Sequence, residues 1–434
     1  MVSRKCVALL LSAAAWSCAR ADDLAMIYRD ALANNAQYQS AEAQYRAVRE
    51  HVPESVAALL PAVSVAANTL WNDNNSNTLG RQQYNSNYYA VTLTQPVWRP
   101  QNFLALDEAR SQVVQAQAQL DLAQHELLVR TAQAYFDVLF ARDALNTFKE
   151  QGAAYQEQLQ QASRNFEVGA APIMDLRDAE ARFALVTAQE ISASNDLASK
   201  MQVLRQITDK EPGPLVGLRA GVVLASPVPD TVGPWETAAQ SNSAAVLAAE
   251  AALAASRLEV RRIRAEGLPT VDLVMSHGLS KSASSITVGQ DLHADTVGIQ
   301  VSVPIYSGGG SSAKVRENLA LVDKAQADLE DAQRSGVLAV EQAYLGATSG
   351  LSQVKALQRA VAAAQTALES NKRGVQVGTR AGVDVLNAQQ ELSVTKRDLA
   401  KARYDTVMYM LRLKAAAGSL GAADLDEVNG MLGD

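Results

Sequence analysis

Apolar side chains recur at alternating steps of three and four along the first half of the chain: Val113, Ala116, Leu120, Ala123, Leu127, Ala134, Val138, Ala141, Leu145, Phe148, Gly152, Tyr155, Leu159, Ala162 and Phe166, with Arg130 the one charged member. That spacing keeps one helical face apolar and predicts a long helix built to pack along another. Two successive steps of four, at Arg130, Ala134 and Val138, create an eleven-residue interval from Ala123 to Ala134. Such a stutter relaxes left-handed supercoiling, so the helix can run straight. From about Gln101 to Val168 it would measure on the order of 100 Å at 1.5 Å per residue. A looser counterpart runs through Val315, Leu319, Val322, Leu329, Val340, Ala347, Leu351, Val354, Val361 and Leu368. Residues 101–171, 173–211 and 235–268, and everything after Pro304, contain no proline, as long helices require. Each long helix meets a glycine-containing turn, VGAAPIMD or VGTRAGVD, and then a returning helix, which makes two helical hairpins.

Between the helical stretches the period drops to two. Val63, Val65, Ala67, Thr69 and Trp71 alternate with Ser64, Ala66, Asn68 and Leu70, and Tyr89, Val91, Leu93 and Val97 with Ala90, Thr92, Thr94 and Trp98. The second half repeats this with Val271, Leu273, Met275 and Leu279, then Val297, Ile299, Val301, Val303 and Ile305. One apolar and one small or polar face per strand fits either a half-buried soluble sheet or a membrane barrel. Polar loops are expected over residues 72–87 and 280–295. Trp71, Tyr88, Tyr89, Trp98 and Tyr306 stand at or near strand ends, where an interfacial girdle would place them, though core rings of a sandwich would serve as well. Four strands cannot close a membrane barrel, which needs about eight, so the barrel reading carries oligomerisation with it.

Landmarks repeat at one offset. Leu60-Pro61 returns as Leu268-Pro269, QPVW at 95 as VPIY at 303, Ala134-Tyr135 as Ala343-Tyr344, and Val168-Gly169 with Asp175 as Val377-Gly378 with Asp384, all 208 or 209 residues apart. The chain is therefore read as a tandem duplication. The first repeat spans 22–211, with strands 62–71 and 87–98 and a hairpin over 101–209. A Pro/Gly-rich connector occupies 212–234. The second repeat spans 235–417, with strands 270–280 and 296–306 and a hairpin over 311–417, and a tail follows over 418–434.

Composition and charge narrow the function. Hydrophobic residues make up 48% of the 434 but aromatics only 5%, which suits alanine-rich helices packed closely together. Arg4 and Lys5 precede an apolar run from Cys6 to Trp16, and Ala19-Arg20-Ala21 completes a signal-peptide pattern over 1–21. Trp16 and Ser17 are poor neighbours for lipidation of Cys18, so cleavage after Ala21 is expected. Removing that segment takes away three basic residues, no acid and both cysteines, and moves the net charge from −7 to −10. An acidic exported chain without disulfides argues against nucleic acid as a partner and for stability from packing or assembly. No later apolar run approaches the 18 or more residues of a membrane helix, so membrane entry would be by strands. His51, His125, His277 and His293 lack metal-ligand spacing, no catalytic constellation is visible, and no cofactor or metal is expected. SGGGSS at 307–312 has no phosphate-loop pattern and marks a strand-to-helix transition instead.

ALANNAQ near the mature start, AALLPAVSV, QPVW, VSVPIYSGGG, VGTRAGVDVLNAQQEL and ARYDTVMYMLRLKAAAGSL together resemble the TolC family of outer-membrane channels over essentially the whole mature chain. The resemblance implies an α+β membrane protein. Four strands per chain would join a twelve-stranded trimeric β-barrel, and the helical hairpins would form a periplasmic α-barrel tunnel. It also implies a homotrimer in the outer membrane of a Gram-negative bacterium, not an enzyme, serving type I secretion or multidrug efflux. The partners would be a periplasmic adaptor, an inner-membrane ABC or RND-type transporter, and outer-membrane lipid.

Site residues follow from the same resemblance. Val168, Gly169, Val377, Gly378 and Thr379 match the adaptor-facing hairpin tips. Asp175 and Arg380 match positions that family members pair to hold the aperture closed, and Asp384 matches an acidic ring lining it. Asn387 stands where some members have a second acid, and Val375 where a tyrosine can join the latch. Closure is then expected to rely more on packing, or on Asp178, which lies three residues after Asp175 and shares its helix face; a solvated face for Asp178 and Arg177 is the other reading. The alternative function is a periplasmic coiled-coil adaptor or structural protein. Such adaptors carry one hairpin within a β-domain, whereas this chain has two hairpins, each with its own strand pair.

Overall fold

The computed structural model describes residues 22–78, 80–219, 221–282 and 290–433, so the signal segment 1–21, Cys18 included, lies outside the described residues. Three helices lead to the first strand: α1 (Leu24–Asn34), α2 (Ala36–Arg49) and α3 (His51–Ala57). Asparagine and aspartate side chains set the starts of α1 and α2, because each caps a backbone N–H that has no partner inside the helix. Asp23 accepts from the Met26 amide at 2.7 Å, and Asn35 ends α1 and caps α2 by accepting from the Tyr38 amide at 3.1 Å.

Four strands, β1 (Ala62–Ser76), β2 (Gly80–Trp98), β3 (Thr270–Ser282) and β4 (Gln290–Ser302), form one antiparallel sheet in chain order. The halves join at β2 and β3, and β1 and β4 are left as edges. Most of the stretch expected as a loop over 72–87 continues as strand, over 72–76 and 80–87, with Asn72 opposite Tyr84 and Ser76 opposite Gly80. Polar residues hide a strand from a hydrophobicity pattern when both faces meet water. Cross-strand bonds hold this extension instead, with Arg81 donating to both carboxylate oxygens of Asp73 at 2.8 and 2.5 Å. At the other end β4 stops at Ser302 rather than 306, where Pro304 has no N–H to offer a ladder.

The hairpins are α4 (Pro100–Glu167) with α5 (Ile173–Thr208), and α8 (Gly310–Gln376) with α9 (Gly382–Ala416). Pro100 opens α4 where its missing N–H is not needed. Between the hairpins lie α6 (Gly233–Asn242) and α7 (Ala244–Ala265), the latter packed between α4 and α8. The expected C-terminal tail forms a further helix, α10 (Ala422–Met431). Leu425 and Val428 of α10 enter the largest core cluster, with Leu24 and Ile27 of α1, Leu204 and Ile207 of α5, and Val407 and Leu411 of α9. Within this belt α4 is buried on nearly every side from Leu127 to Leu139, so the apolar row read from the sequence describes only part of its buried surface. Lower down, α8 and α9 approach closely at Gly350, where a Cβ would lie 2.5 Å from the Thr406 hydroxyl. No described helix is long and apolar enough to cross a membrane.

Candidate functional site

Directly opposed residues in a sheet share a face, so the register decides which surface is apolar. Val63, Leu93, Met275 and Val297 form one cross-strand row, Leu273 with Ile299 and Val271 with Val301 form others, and all lie on the same side. The opposite side carries Ser64, Thr92, Ser276 and Thr296, then Ala66, Ala90, Gly278 and Ala294. Among the described residues no helix packs along the sheet. Val63 is 64% exposed, and Val297 and Ile299 are each 72% exposed. A soluble sandwich would bury these side chains; here a single chain presents them as an uncovered band. Toward the loop end the same face acquires charge, with His277 and Asp295 paired at 2.5 Å and Lys281 and Asp291 at 3.0 Å.

The aromatic positions sort by this register. Trp71 and Tyr89 lie on the apolar face, whereas Tyr88, adjacent to Tyr89, must point to the small, polar side and cannot join the same girdle. A bulge between Pro96 and Trp98 sets Trp98 opposite Val271, which turns its ring to the apolar face although alternation from Val97 predicts the reverse. Tyr306 lies past the end of β4 and is 88% exposed.

Beneath the sheet, Arg99 donates two bonds to Asp272, at 2.8 and 2.7 Å, and ties the end of β2 to β3. A polar chain then crosses four helices. His51 meets Gln112 at 3.0 Å, Gln112 donates to Glu108 at 2.8 Å, and Arg262 donates to Glu108 at 2.9 Å, to Glu259 at 2.7 and 2.5 Å and to Glu266 at 3.0 Å, with Lys314 3.6 Å from Glu266. Burial, assisted by a hydrogen bond and the charge of Glu259, pushes the Glu108 carboxyl up to about 7 despite Arg262. Arg262 holds Glu259 below its usual range. Between the ordinary carboxyl value and about 7, the folded chain therefore keeps a proton on Glu108 that the unfolded chain releases. This contribution to stability is complete at low pH and is lost as pH rises through 7, while Glu259 acts in the opposite sense at lower pH. Glu108→Gln is expected to flatten the fall of the thermal midpoint between pH 5 and 8, measured by circular dichroism in detergent; an unchanged slope would show that Glu108 does not control it.

At the far ends of the hairpins the two turns are built alike. Gly169 and Gly378 take φ of 73° and 76°, a left-handed conformation that ends a helix without a Cβ penalty. The Ala170 amide donates to Asn165 O at 2.8 Å and the Thr379 amide to Gly374 O at 2.9 Å. Val168 and Val377, beside these glycines, are exposed.

Within this chain Asp175 and Arg380 are not paired. Arg380, in the turn before α9, lies 3.8 Å from Asp384 in the first turn of that helix, and Asp384 also accepts from the Ala381 amide at 3.3 Å, which caps α9. Space at Gly374 directs this, since a Cβ there would fall 2.6 Å from Arg380 Cγ; the arginine folds back across its own hairpin. Asp175, exposed in the first turn of α5, makes no ion pair among the described residues. Asp178 lies 3.8 Å from Arg182, and Arg177 pairs with Glu180 at 2.7 Å. Val375 packs against the cluster of Leu368, Val385 and Leu392.

The bonds that do cross between α5 and α9 come from Arg182, which donates to Asn387 at 2.8 Å and to Gln390 at 3.2 Å. Sequence reasoning missed this residue. The repeat brings it close to its partners: the hairpins repeat at an offset of 209, which matches Arg182 to Glu391, and Gln390 is the residue just before that position on the other returning helix. Among the described residues no cluster of His, Cys, Asp and Glu could hold a metal ion.

The family model described as outer membrane efflux protein matches residues 27–209 and 235–419, the two repeats without the connector. The chain is 32% identical over 422 residues to outer membrane protein TolC of Vibrio cholerae, covering 96% of this chain and 95% of that protein. It is also 32% identical over 415 residues to the alkaline protease secretion protein AprF of Pseudomonas aeruginosa, covering 92% and 85%. Its fold is similar to that of the Campylobacter jejuni CmeC outer membrane channel, with a TM-score of 0.82 at 15% identity over 94% of this chain and 89% of that one.

Proposed function

The chain belongs to the outer membrane efflux protein family, and from that premise we propose that three copies close one duct, gated where its helical hairpins turn. It is an outer-membrane exit channel for proteins or small compounds. The observation that carries the trimer is the sheet: four strands, an uncovered apolar face and two unpaired edges. Three chains supply twelve strands, and β1 of one chain can complete the ladder of β4 on the next, which removes every edge. The helical hairpins then stand together below as a tunnel. Trp71, Tyr89 and Trp98 would sit at the membrane boundaries, and Tyr88 would face the lumen. Cross-linking of the purified protein in detergent is expected to give a trimer, and planar bilayers discrete conductance steps; a monomer without conductance rejects the reading.

At the periplasmic end, three Asp384 carboxylates brought near one axis would form a cation-attracting ring. Arg182, bridging α5 to Asn387 and Gln390, would hold the returning helices together in the closed state, alongside the pairing expected of Asp175 with Arg380. Bonds at partly exposed sites contribute about 1 kcal/mol each, weak enough for a gate that must open. Arg182→Ala is expected to raise single-channel conductance severalfold, and Asp384→Ala to lower cation selectivity and block by multivalent cations. Unchanged conductance in the first and unchanged selectivity in the second would remove these two roles. The exposed tips around Val168, Gly169, Val377, Gly378 and Thr379 would receive a periplasmic adaptor, which would couple the duct to an inner-membrane ABC or RND-type transporter. AprF is named for the secretion of a protease, and this chain would pass cargo of that kind or small toxic compounds, selected by the transporter.

A further inference from the structure

About three turns above the hairpin tips, α4, α5 and α9 enclose a groove of about 280 Å³ whose walls carry two arginines, Arg182 and Arg397. We propose that this groove binds a small soluble oxyanion carrying phosphate or carboxylate groups, with the two guanidiniums as its cationic walls. The Nε atoms of both arginines are shielded from solvent and have no hydrogen-bond partner. Leaving a charged donor shielded and unpaired is costly, and a guanidinium satisfies such a donor best with an anionic oxygen.

Arg397 is the less compensated of the two. Among the described residues it has no ion pair, and its contact is with the Phe148 ring, 4.4 Å from the centroid. Stacking fixes the plane of the guanidinium and leaves its edge for a planar or tetrahedral anion. Arg182 spends its two terminal nitrogens on the neutral amide oxygens of Asn387 and Gln390, and the nearest carboxylate, Asp178, stands at 3.8 Å, beyond hydrogen-bond reach. Gln151, Gln189 and Gln390 line the same groove and add amide groups without charge, and Asp178 is the one carboxylate in the lining, set against two guanidiniums.

Spacing defines the ligand further. Arg182 reaches Gln390, and Arg397 lies seven residues beyond Gln390, on the same helix face and roughly 10 Å along the axis. A ligand with two anionic groups could bridge both arginines, and the groove exceeds the roughly 30 Å³ share of one water several times over. Citrate and inorganic phosphate are therefore the probes. Neither the site nor its test depends on conductance.

The experiment is calorimetric titration of citrate, and separately of phosphate, into the full chain in detergent, with ionic strength held constant by sodium chloride. Saturable binding is expected. Arg397→Gln should weaken it about tenfold or more, as loss of a charge-assisted bond would. Arg182→Gln should do the same, and Arg397→Lys should retain part of the affinity. Arg412→Gln, outside this groove, controls for general loss of positive charge and should leave affinity unchanged. Tighter binding of citrate identifies a bridging carboxylate ligand, and tighter binding of phosphate a phosphate ligand; either supports the site. Binding that does not saturate, or that is equal in wild type, Arg397→Gln and Arg397→Lys, overturns it. Circular dichroism of each variant in chloride separates lost binding from lost fold.

Discussion

Arginine in place of Ile299 is expected to abolish assembly in the outer membrane. Ile299 stands opposite Leu273 and is 72% exposed, with Val297 and Val301 two positions away on the same face. Placed at the bilayer midplane on a lipid-facing strand, a guanidinium costs about 2–4 kcal/mol, and a closed trimer would pay this three times. That sum is comparable to the whole stability of many folded proteins, about 5–15 kcal/mol. The measurement is the amount of heat-resistant trimer in an outer-membrane fraction, which should fall to background in Ile299→Arg. Thr296→Lys is the paired control, because Thr296 lies in the small, polar row with Ser276, Thr92 and Ser64. A lumenal charge should permit assembly and alter only ion selectivity. If both variants assembled equally well, the assignment of the two faces would be wrong.

The face that carries this prediction was legible before any coordinates, because strand alternation depends only on whether each side chain is apolar. What alternation cannot show is what covers the apolar side; the exposure of Val63, Val297 and Ile299 answered that. Nor can it see a bulge, so Trp98 was assigned with Thr94 rather than opposite Val271. The strand extensions over 72–76 and 80–87 carry no hydrophobic signal because Asn, Ser and Gln are polar, although their backbones pair. At the hairpin tips the resemblance points to Asp175 with Arg380, and within one chain the two are not paired. Arg380 stands in the turn just before the N-cap of α9, close to Asp384 in that helix's first turn, and the missing side chain at Gly374 gives the arginine room to lie that way. Arg182 escaped notice because its partners, Asn387 and Gln390, are neutral, and a search for opposite charges passes over amides.

The belt around the middle of α4 shows the same limit in energetic form. A row at steps of three and four predicts one buried stripe, yet Thr131, Ala132, Tyr135, Phe136 and Leu139 are buried together with it, because α1, α5, α9 and α10 converge there. Phe136 is 1% exposed, with the Tyr135 ring edge-on at 5.6 Å and the Tyr404 ring at 5.6 Å from the second hairpin. Tyr404 in turn donates to Asp143 at 2.6 Å, and burial pushes its phenol well above the ordinary value. Phe136→Ala therefore removes a ring that touches both repeats, and truncation of a buried aromatic costs about 3–5 kcal/mol per chain. Phe166→Ala deletes the same ring from the 40%-exposed end of α4, where a surface change is worth about 0.5 kcal/mol. A large drop in thermal midpoint is expected for the first and almost none for the second. Because the belt clamps both hairpins, limited proteolysis of Phe136→Ala should open α8 and α9 as readily as α4 and α5. Cleavage confined to the first hairpin would mean that each repeat holds itself together and that the belt does not couple them.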